Sequence, residues 1–229
     1  MHIPDGFLST DVAAAAGVVT AATLAYSLRR ADESLDERKV PLVGVTGAFI
    51  FAAQMLNFPV AGGTSGHFLG AALAAILLGP WLASLVMAVV LVTQSFVFAD
   101  GGVTALGANI LNMGIIGALG VGGLMLALRT VLPKSRGTFL AICGGGAWLA
   151  VMAGAFATAL ELGISGTVPF GTVLPAMLGV HAVIGIGEAV VTVAAVSAVL
   201  ATRPDLIAVR DLTPGEQGGL RQAPGVVAS

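Results

Sequence analysis

Seven apolar stretches, at about residues 11–28, 41–57, 66–78, 81–98, 104–128, 137–160 and 173–200, decide what this chain can become. A helix needs about 20 apolar residues to cross a bilayer, and most of these stretches come near that length. The composition agrees, with 57% hydrophobic and 10% charged residues against about a quarter charged in soluble domains. The reading is an all-α polytopic membrane protein of about seven transmembrane helices. One domain is expected over residues 1–200, with 1–10 as a leader and 201–229 as a polar, disordered tail. The third stretch is short, and only Gly79-Pro80 separates it from the fourth. That pair also reads as a partly re-entrant hairpin, which leaves the topology unchanged.

The basic residues orient these passes. Arg29, Arg30, Arg38 and Lys39 follow the first stretch, Arg129, Lys134 and Arg136 follow the fifth, and Arg203, Arg210 and Arg221 follow the last. All ten fall on one side of a seven-pass chain, which the positive-inside rule makes the cytoplasm. The N-terminus is then outside and the C-terminus inside. The outer loops and leader carry no Lys or Arg but contribute Asp5, Asp11, Asp100 and Glu161, a mildly acidic rim for an arriving cation. No cleavable signal peptide is expected, because a basic segment is missing ahead of the first apolar run.

That outer leader begins Met1-His2-Ile3. Met1 is expected to persist, because methionine aminopeptidases favour a small second residue. Its α-amine and the deprotonated His2 amide close a five-membered chelate ring. The amide and His2 Nδ1 close a six-membered one, filling three corners of a plane. Planar all-nitrogen coordination suits Ni(II) or Cu(II). A fourth nitrogen is needed, and the chain has only two more histidines.

His67 ends Ala61-Gly-Gly-Thr-Ser-Gly-His67, a glycine-rich outer turn against which the leader could tuck; the bland alternative is a helix cap with local hydrogen bonds. Ser65 adjoins it in the same turn. Gly6 would let the leader fold back, and Asp5 is read as an acceptor orienting a ligand imidazole or as an exposed turn aspartate. His181 and Glu188 lie seven positions apart on one face of the last stretch; intramembrane ionisable groups point to function, and an interhelical polar contact competes. Asn57, Gln94, Asn109 and Asn112 either hydrogen-bond the leader or join helices. Small residues four apart, Ala13, Gly17, Ala21 and Ala25, then Gly44, Ala48 and Ala52, allow close helix contact. Cys143 reads as a small core residue. No phosphate-binding loop occurs, so the chain does not hydrolyse ATP itself.

Met1-His2-Ile3-Pro4-Asp5-Gly6-Phe7-Leu8, Gly63-Thr64-Ser65-Gly66-His67 and His181-x-x-Ile184-Gly185-x-Gly187-Glu188-Ala189 together resemble the CbiM/NikM family. Its members are substrate-capturing membrane components of cobalt and nickel energy-coupling-factor transporters. The likeness covers nearly the whole chain to about residue 200. It implies Met1, His2 and His67 as metal ligands, with no resident cofactor and Ni(II) or Co(II) as cargo. It implies a transmembrane coupling subunit, two cytoplasmic ATPases and a separate accessory membrane protein as partners, in a bacterial or archaeal cytoplasmic membrane. Some relatives carry the accessory fused at their C-terminus, and this chain is expected to lack it. No nucleic acid is expected.

Two other readings compete. Gly63-Thr64-Ser65-Gly66 matches a rhomboid-type serine protease pattern with His181 as base, which leaves Met1-His2 without a role. A passive or proton-coupled metal carrier would work without ATPases.

Overall fold

The computed structural model describes residues 1–32, 39–56, 58–60, 64–128, 131–133 and 135–209. The chain is built of helices: α1 (Thr10–Asp32), α2 (Val40–Gln54), α3 (Ala71–Leu78), α4 (Pro80–Phe98), α5 (Leu106–Ile110), α6 (Ile116–Leu128), α7 (Arg136–Ile164) and α8 (Phe170–Thr202). A π-turn, Leu111–Ile115, joins α5 to α6 in one rod. A two-stranded antiparallel hairpin, β1 (Phe58–Val60) and β2 (Thr64–Gly66), stands between α2 and α3.

Each apolar stretch of the sequence contains a helical rod, but the rods are not alike. Among the described residues five are long and apolar enough to cross a membrane: α1, α4, the α5–α6 rod, α7 and α8. At 15 residues α2 is shorter. At eight residues α3 is shorter still, and every one of its residues is buried. A helix that is apolar all round belongs inside a bundle, and α3 sits there with Gly79-Pro80 turning directly into α4. Because protein surrounds it, the irregular backbone leading into it can lie deep in the bundle.

Local signals set the other ends. Asp11 stands in the first turn of α1 and Arg29 and Arg30 in its last, complementing the helix dipole. Ser135 caps α7 by accepting from the Thr138 amide at 3.1 Å. Of the small-residue stripe on α1, Gly17 makes the close crossing: its backbone lies where a Cβ on Gly107 would stand, and Thr20 donates to the Gly107 carbonyl at 2.7 Å. Ala21 and Ala25 are exposed. The outward positions carry Val18, Val45, Phe96, Val183 and Val190, as expected of a surface against lipid rather than water.

Two packed clusters fill the interior. One gathers Met1, Ile3, Leu69, Leu162, Val173 and Met177 around the leader. The other gathers Ala31, Leu78, Leu82, Phe139, Val196 and Ile207 at the opposite end, where Arg29, Arg30, Arg136 and Arg203 also lie by their places on α1, α7 and α8. The packed chain extends past residue 200. After α8 a single 3-10 turn, Pro204–Leu206, leads to Ala208 and Val209, whose amides reach the Leu77 and Ile76 carbonyls at 3.3 and 3.4 Å. Ile207 and Val209 are buried under α3. Residues 210–229 of the expected tail lie outside the described residues.

Candidate metal centre

The leader enters the bundle as an extended strand and is gripped at Ile3. Asn109 closes an amide clamp on that residue: its Oδ1 accepts from the Ile3 amide at 2.8 Å and its Nδ2 donates to the Ile3 carbonyl at 3.1 Å. The same carbonyl accepts from the Gly102 amide at 2.9 Å. A Cβ on Gly102 would fall on the Pro4 and Asp5 backbone, so only glycine lets the two segments lie this close. Gly6, at φ 80°, then turns the chain back toward α1. Asp5 does not orient a ligand imidazole. Its Oδ1 accepts from the Thr104 amide and hydroxyl at 2.7 and 2.6 Å, which holds its carboxyl below the usual range and pins the turn to the 99–105 loop.

Gripped there, the first two residues are driven inward. Met1 is 0% exposed, its thioether against the site where a Cβ on Gly154 of α7 would stand. Burial pulls its α-amine down from the ordinary 8.0 to about 4, against a smaller upward pull from the Asp100 carboxylate. The amine is therefore neutral near pH 7 and keeps its lone pair. His2 is 4% exposed. Its Nδ1 faces Asp100 Oδ1 at 3.1 Å and its Nε2 faces Gln94 Oε1 at 3.2 Å. Asp100, 21% exposed, lies where the rim meets this cleft.

His67 arrives from the hairpin side. Its ring stacks on that of His2, with centroids 4.6 Å apart and planes 23° from parallel. Its Nδ1 lies 2.6 Å from the Phe68 carbonyl, which only accepts, so the ring hydrogen is on Nδ1 and the lone pair on Nε2. That Nε2 is buried and has no hydrogen-bond partner among the described residues. The local bond exists, but His67 does not cap α3.

That cap comes from Glu188. Its two oxygens accept from the Leu69 and Gly70 amides, both at 2.7 Å, while Gln54 Nε2 donates to the Leu69 carbonyl at 2.6 Å. His181 is fully buried, its Nδ1 donating to the Met177 carbonyl at 2.7 Å and its Nε2 without a partner. It lies close enough to bear electrostatically on His67. Asn112 joins helices, donating to Glu161 at 2.6 Å and facing Thr158 at 3.3 Å. Glu161 is thus bound into α7's packing rather than standing on the rim. Asn57 lies outside the described residues, and of Ser65 only the backbone is described, paired with Pro59.

The structure therefore brings Met1, His2 and His67 together, with Gln94, Asn109 and Asp100 around them. Among the described residues no three carboxylate, thiol or imidazole side chains gather in a metal-binding cluster; the candidate ligands are two imidazoles and a chain terminus. Thr104 and Gly102 went unmarked in the sequence, although Gly101-Gly102 beside Asp100 is the kind of pair that admits a second backbone.

A family model described as "CbiM: Cobalt uptake substrate-specific transmembrane region" matches residues 2–206. The chain is 43% identical over 209 residues to a putative fused nickel transport protein NikMN of Archaeoglobus fulgidus, covering 90% of this chain and 68% of that one. It is 42% identical over 209 residues to a putative metal transport protein of Haloquadratum walsbyi, covering 90% and 93%. A crystal structure of a truncated transition metal transporter superposes with a TM-score of 0.80 at 35% identity, covering 88% of this chain and 99% of that one.

Proposed function

The chain belongs to the CbiM family, and we propose that it is the metal-capturing membrane component of an ATP-driven nickel or cobalt uptake transporter, taking the cation in a planar four-nitrogen site. The observation that carries the reading is the meeting of a buried, neutral Met1 amine with a stacked His2–His67 pair whose His67 Nε2 has no hydrogen-bond partner among the described residues. The ligands are the Met1 amine, the His2 amide nitrogen and Nδ1, and His67 Nε2. Metal ligands must be unprotonated: burial favours the neutral Met1 amine, and the Phe68 carbonyl holds the His67 hydrogen on Nδ1, which leaves Nε2 its lone pair.

Asp100 draws the cation in, and as the chelate rings close the His2 amide N–H bond breaks, its electron pair going to the metal and its proton to water. Gln94 Oε1 is placed to accept from His2 Nε2–H, which fixes the tautomer whose Nδ1 lone pair faces the metal. A planar field favours d8 nickel over cobalt; copper fits the same ligands, and its exclusion would have to come from availability or pocket shape. The names of the relatives from Archaeoglobus fulgidus and Rhodobacter capsulatus, nickel transport proteins, support the cargo.

In the membrane the chain makes seven passes, with the hairpin and α3 together counting as one. The leader end faces outside and the arginine-bearing end the cytoplasm. With no phosphate loop of its own, the chain takes its energy from two cytoplasmic ATPases through a transmembrane coupling subunit, with a small accessory membrane protein alongside.

Nickel uptake into vesicles tests this. Uptake that requires ATP and the partner subunits is the expected result. Equal uptake by this chain alone, with no ATP, would establish a passive or proton-coupled carrier instead.

A further inference from the structure

Glu188 is an ionisable group buried in α8, 1% exposed, and the capture chemistry above makes no use of it. Both its oxygens are spent on one target, the Leu69 and Gly70 amides at 2.7 Å each. Those amides belong to the two residues that lead into α3, Leu69 and the N-cap Gly70, and Gly70 offers no side chain of its own to hold the turn. The acceptor is supplied from 118 residues away. Two residues before Leu69 stands His67.

The segment between His67 and α3 is packed as well as hydrogen-bonded, with Leu69 0% exposed in the core and Phe68 edge-on against Phe49. Gly70 is left-handed at φ 81°, and a Cβ there would strike Ile50, so the turn is fixed in shape. Its position is fixed by Gln54 from α2, which takes the Leu69 carbonyl, and by Glu188 from α8, which takes the amides. A carboxylate accepting from two amides is among the stronger hydrogen-bond arrangements. We infer that Glu188 is the positioning residue for His67: by anchoring the Leu69–Gly70 backbone to α8 it sets where the His67 Nε2 lone pair stands relative to the Met1–His2 claw. The inference rests on His67 being the fourth ligand.

It follows that Glu188 and His67 act as one unit toward the metal. Outer partners that orient metal ligands are worth about 10–100-fold in affinity, and the loss on Glu188→Gln belongs in that range. Gln accepts one amide and turns an NH2 toward the other. The three nitrogens of Met1 and His2 remain, so nickel stays bound more weakly, with its d–d absorption moved to lower energy as water replaces imidazole.

The experiment is a double-mutant cycle on the full chain in detergent, titrating Ni(II) into wild type, E188Q, H67A and E188Q/H67A. The expected result is that E188Q gives the band of H67A and that the double variant binds no worse than H67A alone. Unchanged affinity in E188Q, or losses that multiply in the double variant, would overturn the assignment. Glu188→Asp keeps the carboxylate on a shorter arm and should recover part of the loss. Thr192→Ala, one turn along the same buried stripe, should leave nickel binding at wild-type strength, and an equal loss there would reduce Glu188 to general packing. The fourth-ligand reading fails separately: there H67A itself binds nickel as wild type does.

Discussion

Replacing Asn109 by alanine tests whether seating of the leader governs metal capture. The Asn109 side chain makes two contacts with Ile3, accepting from its amide at 2.8 Å and donating to its carbonyl at 3.1 Å. The carbonyl keeps a second donor, the Gly102 amide at 2.9 Å. The amide has no such reserve, and Ile3 is 0% exposed. Stranding a buried donor costs about 1–3 kcal/mol, which at about 1.4 kcal/mol per tenfold lowers the seating equilibrium constant about 5- to 150-fold. If the claw meets His67 only when seated, and seating in the free chain is near balance, nickel affinity falls by up to that factor. The assay is titration of Ni(II) followed by d–d absorption, with Asn112→Ala as control, since Asn112 faces Thr158 and Glu161 rather than the leader. An N109A chain that binds with wild-type affinity and an unshifted band would refute the reasoning.

Further outcomes follow from the same geometry. Gln94→Leu removes the acceptor facing His2 Nε2 and should weaken nickel binding about 10–100-fold, read by the same titration. Gly102→Ala puts a Cβ onto the Pro4–Asp5 backbone and should expose residues 1–9 to proteolysis while the helices stay folded. Acid should loosen the leader. A released Met1 amine protonates as pH falls through its ordinary 8.0, whereas the seated amine stays neutral down to about 4. Seating is therefore strongest above pH 8 and weakens by up to about tenfold per pH unit toward 4. Hydrogen exchange at residues 2–8 across that window measures the slope, and a flat profile would contradict it.

What the sequence discloses here is local, and what it withholds is long-range. Apolar run length located the helical rods, because lipid imposes length and hydropathy residue by residue. The third run, already short, yields only the eight residues of α3, all buried inside the bundle. Met1-His2 offered itself in the sequence as a candidate chelator and His67 as a further nitrogen on the same side, and the structure stacks the two imidazoles 4.6 Å apart. Gln94, Asn109 and Glu188 stood out as polar groups in apolar stretches, but their partners did not, because they are joined across 92 residues for Gln94, 106 for Asn109 and 119 for Glu188. No period or spacing links such partners. Asp5 illustrates the limit, since an aspartate near a histidine invites pairing with it, yet Thr104, brought up by the 99–105 loop, takes both contacts. The π-turn at Leu111–Ile115 had no sequence marker at all.

The central claim is that the Met1 amine is a metal ligand, and lengthening the chain by one alanine ahead of Met1 tests it most directly. The extension moves the amine away and leaves every side chain in place. Ni(II) and Co(II) are titrated into the native and extended chains. The account predicts tight binding with a planar Ni–N4 band in the native chain, both lost on extension. Equal affinity and an unchanged band in the extended chain would show that the amine binds no metal and would contradict the account.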